Sequence, residues 1–380
     1  MTRATALVGI GLYIHIPFCE KICNYCNFNR GLLEPGLRRR YLSALGQEIE
    51  CQRKTGKVDS VFFGGGTPSV LTPGEINELL GRCRLVFDLE PTAEITLEMN
   101  PETASFERLE GYLSVGVNRL SLGVQSFRDS ELKRLGRAHT AARAIEAFEM
   151  SREAGFHNLS VDLMGWLPGQ TLSHWHESVK TLIGLEPEHA SLYLLELYPN
   201  APLRDEMARE GLTLAPDEIA AEMYYGSFDW LEGAGYQQYE ISNVAKNSCE
   251  SRHNLKYWSD GSWLGLGCGA HSAIDGRRWR NVSDIGAYIE RVNGGVSPVV
   301  DEKLLSVEER VSEALFLGLR LFEGVDLSKL KGRYSVDVWD RWGSDLELCV
   351  EAGLLHRRSE WLRLTRKGML LSNEVMRVFI

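Results

Sequence analysis

The stretch Gly11-Leu12-Tyr13-Ile14-His15-Ile16-Pro17-Phe18-Cys19-Glu20-Lys21-Ile22-Cys23-Asn24-Tyr25-Cys26 decides how the chain is read. Its first half is an apolar run suited to one buried strand, residues 11–16. Its second half spaces three cysteines as Cys19-x3-Cys23-x2-Cys26. A tight loop leaving a strand can aim three thiolates at one centre. Three thiolates hold three irons of a cubane [4Fe–4S] cluster and leave the fourth iron open. Zinc is the alternative. It prefers four protein ligands, and His15 could supply the fourth.

Outward from this stretch the pattern alternates. Further strands are expected at 58–63, 94–99, 118–123, 158–164 and 191–197, with helices at 37–54, 73–86, 105–114, 129–154 and 172–185. Thr72-Pro73-Gly74-Glu75 places proline in a first helical turn, and Thr140 can cap the helix after it. Six β units alternating with helices predict a parallel sheet with right-handed crossovers, and strands apolar on both faces fit burial. Past residue 200 the alternation stops. A helix is expected at 216–231 and an irregular Gly- and Trp-rich stretch at 261–276. Then come helices at 307–322, 336–352 and 367–378, with a hairpin at 354–364. The fold class is thus α/β: a partial (β/α)6 barrel over residues 1–235, then a mostly α domain over 236–380 with a winged-helix-like end.

The 380 residues carry 42 Lys plus Arg against 52 Asp plus Glu, a net charge of −10. That balance argues against nucleic acid as a partner, because phosphate contacts need clustered positive charge. Residues 4–19 lack Asp, Glu, Lys and Arg, but the run is too short to span a bilayer and holds His15 and Pro17. It leads into the cysteines without a small-residue cleavage site, so a mature cytoplasmic N-terminus is expected, with at most peripheral membrane contact. Eight cysteines in a chain this long are no disulfide framework, and Cys51, Cys83 and Cys349 fall in helical patterns as inert buried thiols.

Other polar groups cluster at strand ends. Gly64-Gly65-Gly66-Thr67-Pro68 comes directly after the second strand, where glycines allow a ligand close to backbone N–H groups. The Lys-Ser/Thr ending of a P-loop is absent. Glu98 ends the third strand, Gln125 lies just past the fourth, Asp162 lies in the fifth, and Arg137 sits in Arg-Leu-Gly-Arg-Ala-His-Thr. Ligands of parallel α/β barrels bind at the carboxyl ends of the strands.

The Cx3Cx2C loop after a first barrel strand resembles the radical S-adenosylmethionine (SAM) superfamily. Within it, Tyr13-Ile-His-Ile-Pro-Phe-Cys, Gly-Gly-Gly-Thr-Pro, Leu-Glu98-Met-Asn-Pro-Glu, Gly-Val-Gln125-Ser-Phe and Val-Asp162-Leu resemble the oxygen-independent coproporphyrinogen oxidase branch. The resemblance implies that Cys19, Cys23 and Cys26 hold the cluster and that SAM takes its open iron. It implies SAM contacts for Tyr13, Tyr25, Gly65, Gly66, Thr67, Glu98, Gln125, Arg137 and Asp162. The Gly-rich loop would meet the methionyl amino group. Gly265-Leu-Gly-Cys-Gly-Ala-His-Ser also resembles the branch near its SAM site. One departure is Met164-Gly-Trp-Leu-Pro-Gly-Gln, where the branch has an aromatic and then glycine; here the order is swapped.

True coproporphyrinogen dehydrogenases of the branch carry a fourth cysteine, as CxC, and a longer N-terminal arm. Here position 28 is Phe and the first cluster cysteine is residue 19. Both features resemble the HemW-type heme chaperones, as does His253-Asn254-Leu255-Lys256-Tyr257-Trp258, which fits their HNxxYW motif. An imidazole beside aromatics suits heme, since imidazole ligates iron and aromatic faces pack on porphyrin. His253, Asn254, Tyr257 and Trp258 are therefore the expected heme residues, with Cys249, Cys268 and His271 as weaker candidates. The expected function is to bind heme, the cluster and SAM and to deliver heme to acceptor proteins, among them membrane respiratory proteins. A homodimer is compatible with this reading. The alternatives are a coproporphyrinogen III dehydrogenase and an unrelated radical SAM enzyme such as a methyltransferase.

Overall fold

A computed structural model describes residues 9–53, 56–246 and 248–380. Lys54, the expected end of the first helix, and residues 1–8, where the N-terminal reading begins, lie outside the described residues.

Six parallel strands run in sequence order: β1 Ile10–Ile16, β2 Lys57–Gly65, β3 Asp88–Met99, β4 Arg119–Gln125, β5 Leu159–Gly165 and β6 His189–Leu194. Between them lie α1 Pro35–Glu50, α2 Pro73–Val86, α3 Phe106–Ser114, α4 Asp129–Arg134, α5 Ala141–Glu153 and α6 Leu172–Leu185. Thr72 and Glu75 close a reciprocal capping box on α2, and Thr140 accepts from the Arg143 N–H to open α5. The strands are apolar and buried on both faces, as a parallel sheet covered by helices requires.

One expected helix is two. Gly136 adopts a left-handed φ of +69°, with bonds from Gly136 N to Lys133 O (3.1 Å) and from Arg137 N to Leu132 O (2.9 Å). This Schellman turn ends α4. It leaves Arg137 in a loop rather than on a helix face.

The second half returns to the first. After α7 Pro202–Glu210 and α8 Asp217–Gly233, β7 Asn243–Ala245 pairs antiparallel with β6. Then come α9 Arg252–Trp258 and β8 Trp263–Leu266, which lies parallel to β1 with Gly11 opposite Trp263. β9 His271–Ile274, β10 Arg277–Asn281 and β11 Val299–Leu304 extend that edge antiparallel, with α10 Ile285–Asn293 between the last two. Half of the expected irregular stretch at 261–276 is thus strand, in two four-residue runs. Glycines 267, 269 and 276, all at positive φ, make its turns. The expected division at residue 235 falls inside this twelve-stranded sheet, and the helix-rich part begins only after β11. There, α11 Val307–Gly318, α12 Leu327–Tyr334 and α13 Val338–Glu351 pack with a three-stranded sheet containing the Leu355–Arg358 and Trp361–Leu364 hairpin, a winged-helix-like arrangement. The expected last helix is two short ones, Arg366–Leu370 and Ser372–Met376.

Candidate functional site

The three cysteines leave β1 on one loop, beside the Gly-rich turn that leaves β2. The loop is fastened at several points. Gly66 N donates to Ile16 O and Thr67 N to Phe18 O, each at 2.8 Å, and Gly31 N donates to Pro17 O at 2.7 Å. Asn29 Nδ2 donates to Cys268 O (3.2 Å) and Ser283 O (3.1 Å), which ties the loop to residues 265–272 and to the start of α10. A Cβ on Gly66 would meet Phe18 O at 2.8 Å, so glycine is required there by the loop itself. Among the described residues no trio of His, Cys, Asp or Glu is already gathered round a point that a single ion would fill.

The thiols nevertheless suit a cluster. Thr67 Oγ1 donates to Cys19 Sγ at 3.4 Å and Arg137 Nη1 donates to Cys23 Sγ at 3.4 Å. Donors aimed at sulfur stabilise the thiolate that ligates iron. Burial pushes the Cys19 and Cys26 thiols up, and neighbouring sulfur adds to the effect, so a cation between them relieves both causes. His15 is not available as a fourth ligand. Its Nε2 is bonded to Asn29 O (2.8 Å) and its Nδ1 to Tyr13 Oη (3.1 Å). It spaces the loop from the strand, and with its role the zinc alternative loses its fourth donor.

The Gly-rich turn offers less N–H than its composition implies. Gly65 N donates to Glu98 Oε2 at 3.1 Å, and the Gly66 and Thr67 N–H groups are spent on the cluster loop. What such a turn has left to offer a ligand is carbonyl oxygen, the right partner for an ammonium group and the wrong one for a phosphate.

Beyond it the polar side chains converge. Arg137 Nη2 donates to Asn100 Oδ1 (2.7 Å) and Gly123 O (2.6 Å), and Asn100 Nδ2 donates to Thr67 Oγ1 (3.2 Å). Tyr25 bonds the same guanidinium, and burial pushes its phenol up. Asn100 lies inside the Leu-Glu98-Met-Asn-Pro-Glu motif but is not among the residues for which the resemblance implies a contact; its further signal is its place directly after β3. Gln125 holds a left-handed φ of 69° at a bulge in the β4–β5 pairing, which re-aims its side chain. Asp162 accepts from Ser121 Oγ (3.2 Å) and Ser160 Oγ (3.5 Å). Burial, then the charge of Asp162, raises Glu98 to about 8, and burial raises Asp162 as well. Two half-buried carboxylates facing one site invite hydroxyl or ammonium donors. The swapped Gly165-Trp166 pair has a visible consequence: Trp166 takes φ 59°, a left-handed conformation uncommon outside glycine, and its indole donates to Ala215 O at 2.8 Å.

The structure does not bring the HNxxYW residues to the cysteines. α9 sits at the amino ends of the strands. Lys256 Nζ, buried, bonds Gly9 O (2.7 Å) and Asp59 Oδ1 (2.6 Å), and Arg252 N bonds Glu94 Oε1 (3.0 Å). Ser251 caps the helix on the Asn254 N–H. His253 is buried with both ring nitrogens engaged, Nδ1 to Ser60 Oγ (3.2 Å) and Nε2 to Tyr257 Oη (2.9 Å), and its ring stacks on Phe62 at 5.3 Å. In this arrangement it has no lone pair free for iron. Burial lowers it to about 3, so it stays neutral. What it does is hold Tyr257. Cys268 is likewise buried and bonded within the loop scaffold.

Residues 13–182 match the model of the Radical SAM superfamily and residues 305–371 that of the HemN C-terminal domain. Over 374 residues the chain is 40% identical to the heme chaperone HemW of Bacillus subtilis (strain 168), covering 97% of this chain and 98% of that one. The chain belongs to the HemW family. Similarity within the family extends to HemW of Mycobacterium tuberculosis (strain CDC 1551 / Oshkosh), 33% identical over 97% of this chain and 94% of that one. The chain is also similar to the mitochondrial Radical S-adenosyl methionine domain-containing protein 1 of Bos taurus, 38% identical over 84% of this chain and 70% of that one. Among solved structures, coproporphyrinogen III oxidase (HemN) from Escherichia coli shares the fold with a TM-score of 0.86, at 24% identity, over 98% of this chain and 90% of that one. Membership of the radical SAM superfamily implies a [4Fe–4S] cluster and SAM.

Proposed function

We propose that this chain is a heme chaperone that carries a [4Fe–4S] cluster and SAM at the carboxyl end of its barrel and hands heme to acceptor proteins. The observation that carries the reading is the end-to-end 40% identity to a heme chaperone. Cys19, Cys23 and Cys26 would hold the cluster. Tyr25, Gly65, Gly66, Thr67, Glu98, Gln125, Arg137 and Asp162, with Tyr13 behind them, would form the SAM pocket. When bound, these groups supply one-electron chemistry.

The chain's own residues do the holding. Carbonyls of the Gly-rich turn accept from an ammonium group, and Arg137 pairs a carboxylate while keeping its bond to Cys23. Glu98 and Asp162 accept from ribose hydroxyls. Position 28, where the dehydrogenases place a fourth cysteine, holds an exposed phenyl ring, Phe28. No helix is long and apolar enough to cross a membrane among the described residues. A cytoplasmic protein passing heme to respiratory acceptors, with at most peripheral membrane contact and as monomer or homodimer, fits this reading.

Anaerobic reconstitution and parallel assays test it. Heme retention without porphyrin turnover is expected. Oxidative decarboxylation of coproporphyrinogen III, with 5′-deoxyadenosine formed, would make the chain a dehydrogenase instead. A methylated product would point to a methyltransferase.

A further inference from the structure

At the edge of the sheet beyond β1 lies an open cleft of about 480 Å³, lined by β8, β9 and β10, the end of α9 and one face of α11. Its walls are aromatic: Tyr257 and Trp258 from the end of α9, Trp263 from β8 and Trp279 from β10. Tyr257 and Trp263 meet edge to face at 4.7 Å. The rim carries His271, Arg278 and Arg280.

We propose that this cleft is the heme site of the chain, with His271 as the iron ligand, the tryptophans as ring walls and Arg278 and Arg280 at the propionates. The proposal rests on the heme-chaperone reading above and locates its cargo. Three observations carry it. The first is shape: the volume lies in the range of cofactor clefts, and flat aromatic walls suit a planar macrocycle. The second is His271. Unlike His253, it is exposed, and its ring nitrogens find no hydrogen-bond partner among the described residues. Partial burial and the neighbouring Arg280 hold it below the usual imidazole range, which leaves a lone pair at neutral pH. The third is the set of donors left on the rim arginines, whose charges are paired by Glu313 and Asp301 in the same lining. Arg278 is held by Glu313 and by the Trp263 face, 5.7 Å away, while Arg280 Nε bonds Asp301 Oδ2 at 2.6 Å. Arg278 Nη1 also donates to Arg277 O (3.1 Å) and Arg280 Nη1 to Ser283 Oγ (3.4 Å), so each guanidinium spends three of its five donors and retains two for propionate.

The same arrangement gives the HNxxYW stretch a physical role. His253 fixes the Tyr257 hydroxyl from behind, and Tyr257 and Trp258 present one wall of the cleft. The Trp258 indole N–H is buried and without an acceptor among the described residues. The motif shapes the cleft; the iron ligand comes from β9.

The test is titration of the cluster-loaded full chain with hemin, read by Soret absorption and tryptophan quenching. Wild type is expected to bind one equivalent with quenching. His271→Ala should shift the Soret maximum and weaken binding at least tenfold, and Arg280→Glu should weaken binding several-fold with the Soret position kept. His271 and Arg280 reach the surface, and circular dichroism with iron content confirms that each variant is folded. If wild type binds heme and neither variant changes spectrum or affinity, the cleft assignment is overturned while the chaperone reading stands. If wild type binds no heme, both fall.

Discussion

Arg137 Nη1 reaches Cys23 Sγ at 3.4 Å across 114 residues of sequence. The same guanidinium bonds Asn100 and Gly123, so one side chain joins the cysteine loop to the ends of β3 and β4. Tyr25 bonds it as well, and a point charge cannot replace a planar fork with four partners. Arg137→Lys is expected to keep cluster iron near the wild-type level and to weaken SAM at least tenfold, read by iron analysis and calorimetry.

Cys23→Ser should abolish the cluster. Wild-type protein reconstituted anaerobically should be brown, with about four iron and four sulfide per chain. Stoichiometric zinc without sulfide would contradict this.

Gly66→Val has a broader effect than blocking a ligand. The added atoms run into Phe18 O on the cysteine loop. Cluster content and SAM binding should therefore fall together. Loss of SAM affinity with full cluster content would show that the turn contacts ligand alone.

Glu98 gives a pH signature. Its folded value, about 8, is raised from the ordinary carboxyl range by burial and by Asp162. The folded state then holds a proton that the unfolded state releases. Its stabilising contribution is complete below the unfolded value and is lost as pH rises through 8. Relative to wild type, Glu98→Gln should gain roughly 2–4 kcal/mol of stability between pH 5 and pH 9, measured by urea unfolding without SAM.

His253→Ala leaves Ser60 and Tyr257 without their imidazole partner in the core. The expected cost is about 2–4 kcal/mol, with heme affinity reduced through a loosened Tyr257 wall and the spectrum of residual bound heme unchanged. A shifted Soret band would instead make His253 the ligand. Of the three thiols expected to be buried only Cys83 is; Cys349 is half-buried, and Cys51 caps the end of α1 in solvent, so Cys51→Ala should change neither quantity.

The features legible in the sequence were local ones. The strand at 11–16 reads from its apolar run, and the caps of α2 and α5 read from Thr72 and Thr140, because those signals lie within a few residues of the elements they specify. The break before Arg137 was marked by Gly136 but hidden inside a helical pattern. The pairing of β8 with β1 was not legible: four residues, Trp263–Leu266, join a partner strand roughly 250 residues away, and no local signal encodes that distance. The same holds for His253, whose engagement by Ser60 spans 193 residues. A motif placed His253 near heme; only the tertiary contact shows that both its nitrogens are occupied.

The most direct measurement is heme transfer from the cluster-loaded chain to an apo heme protein, monitored by the acceptor's absorption spectrum, with coproporphyrinogen III supplied in a parallel reaction. The chaperone reading predicts one heme retained per chain, its appearance on the acceptor, and no decarboxylated porphyrin. Turnover of coproporphyrinogen III with no heme retained or transferred would contradict it.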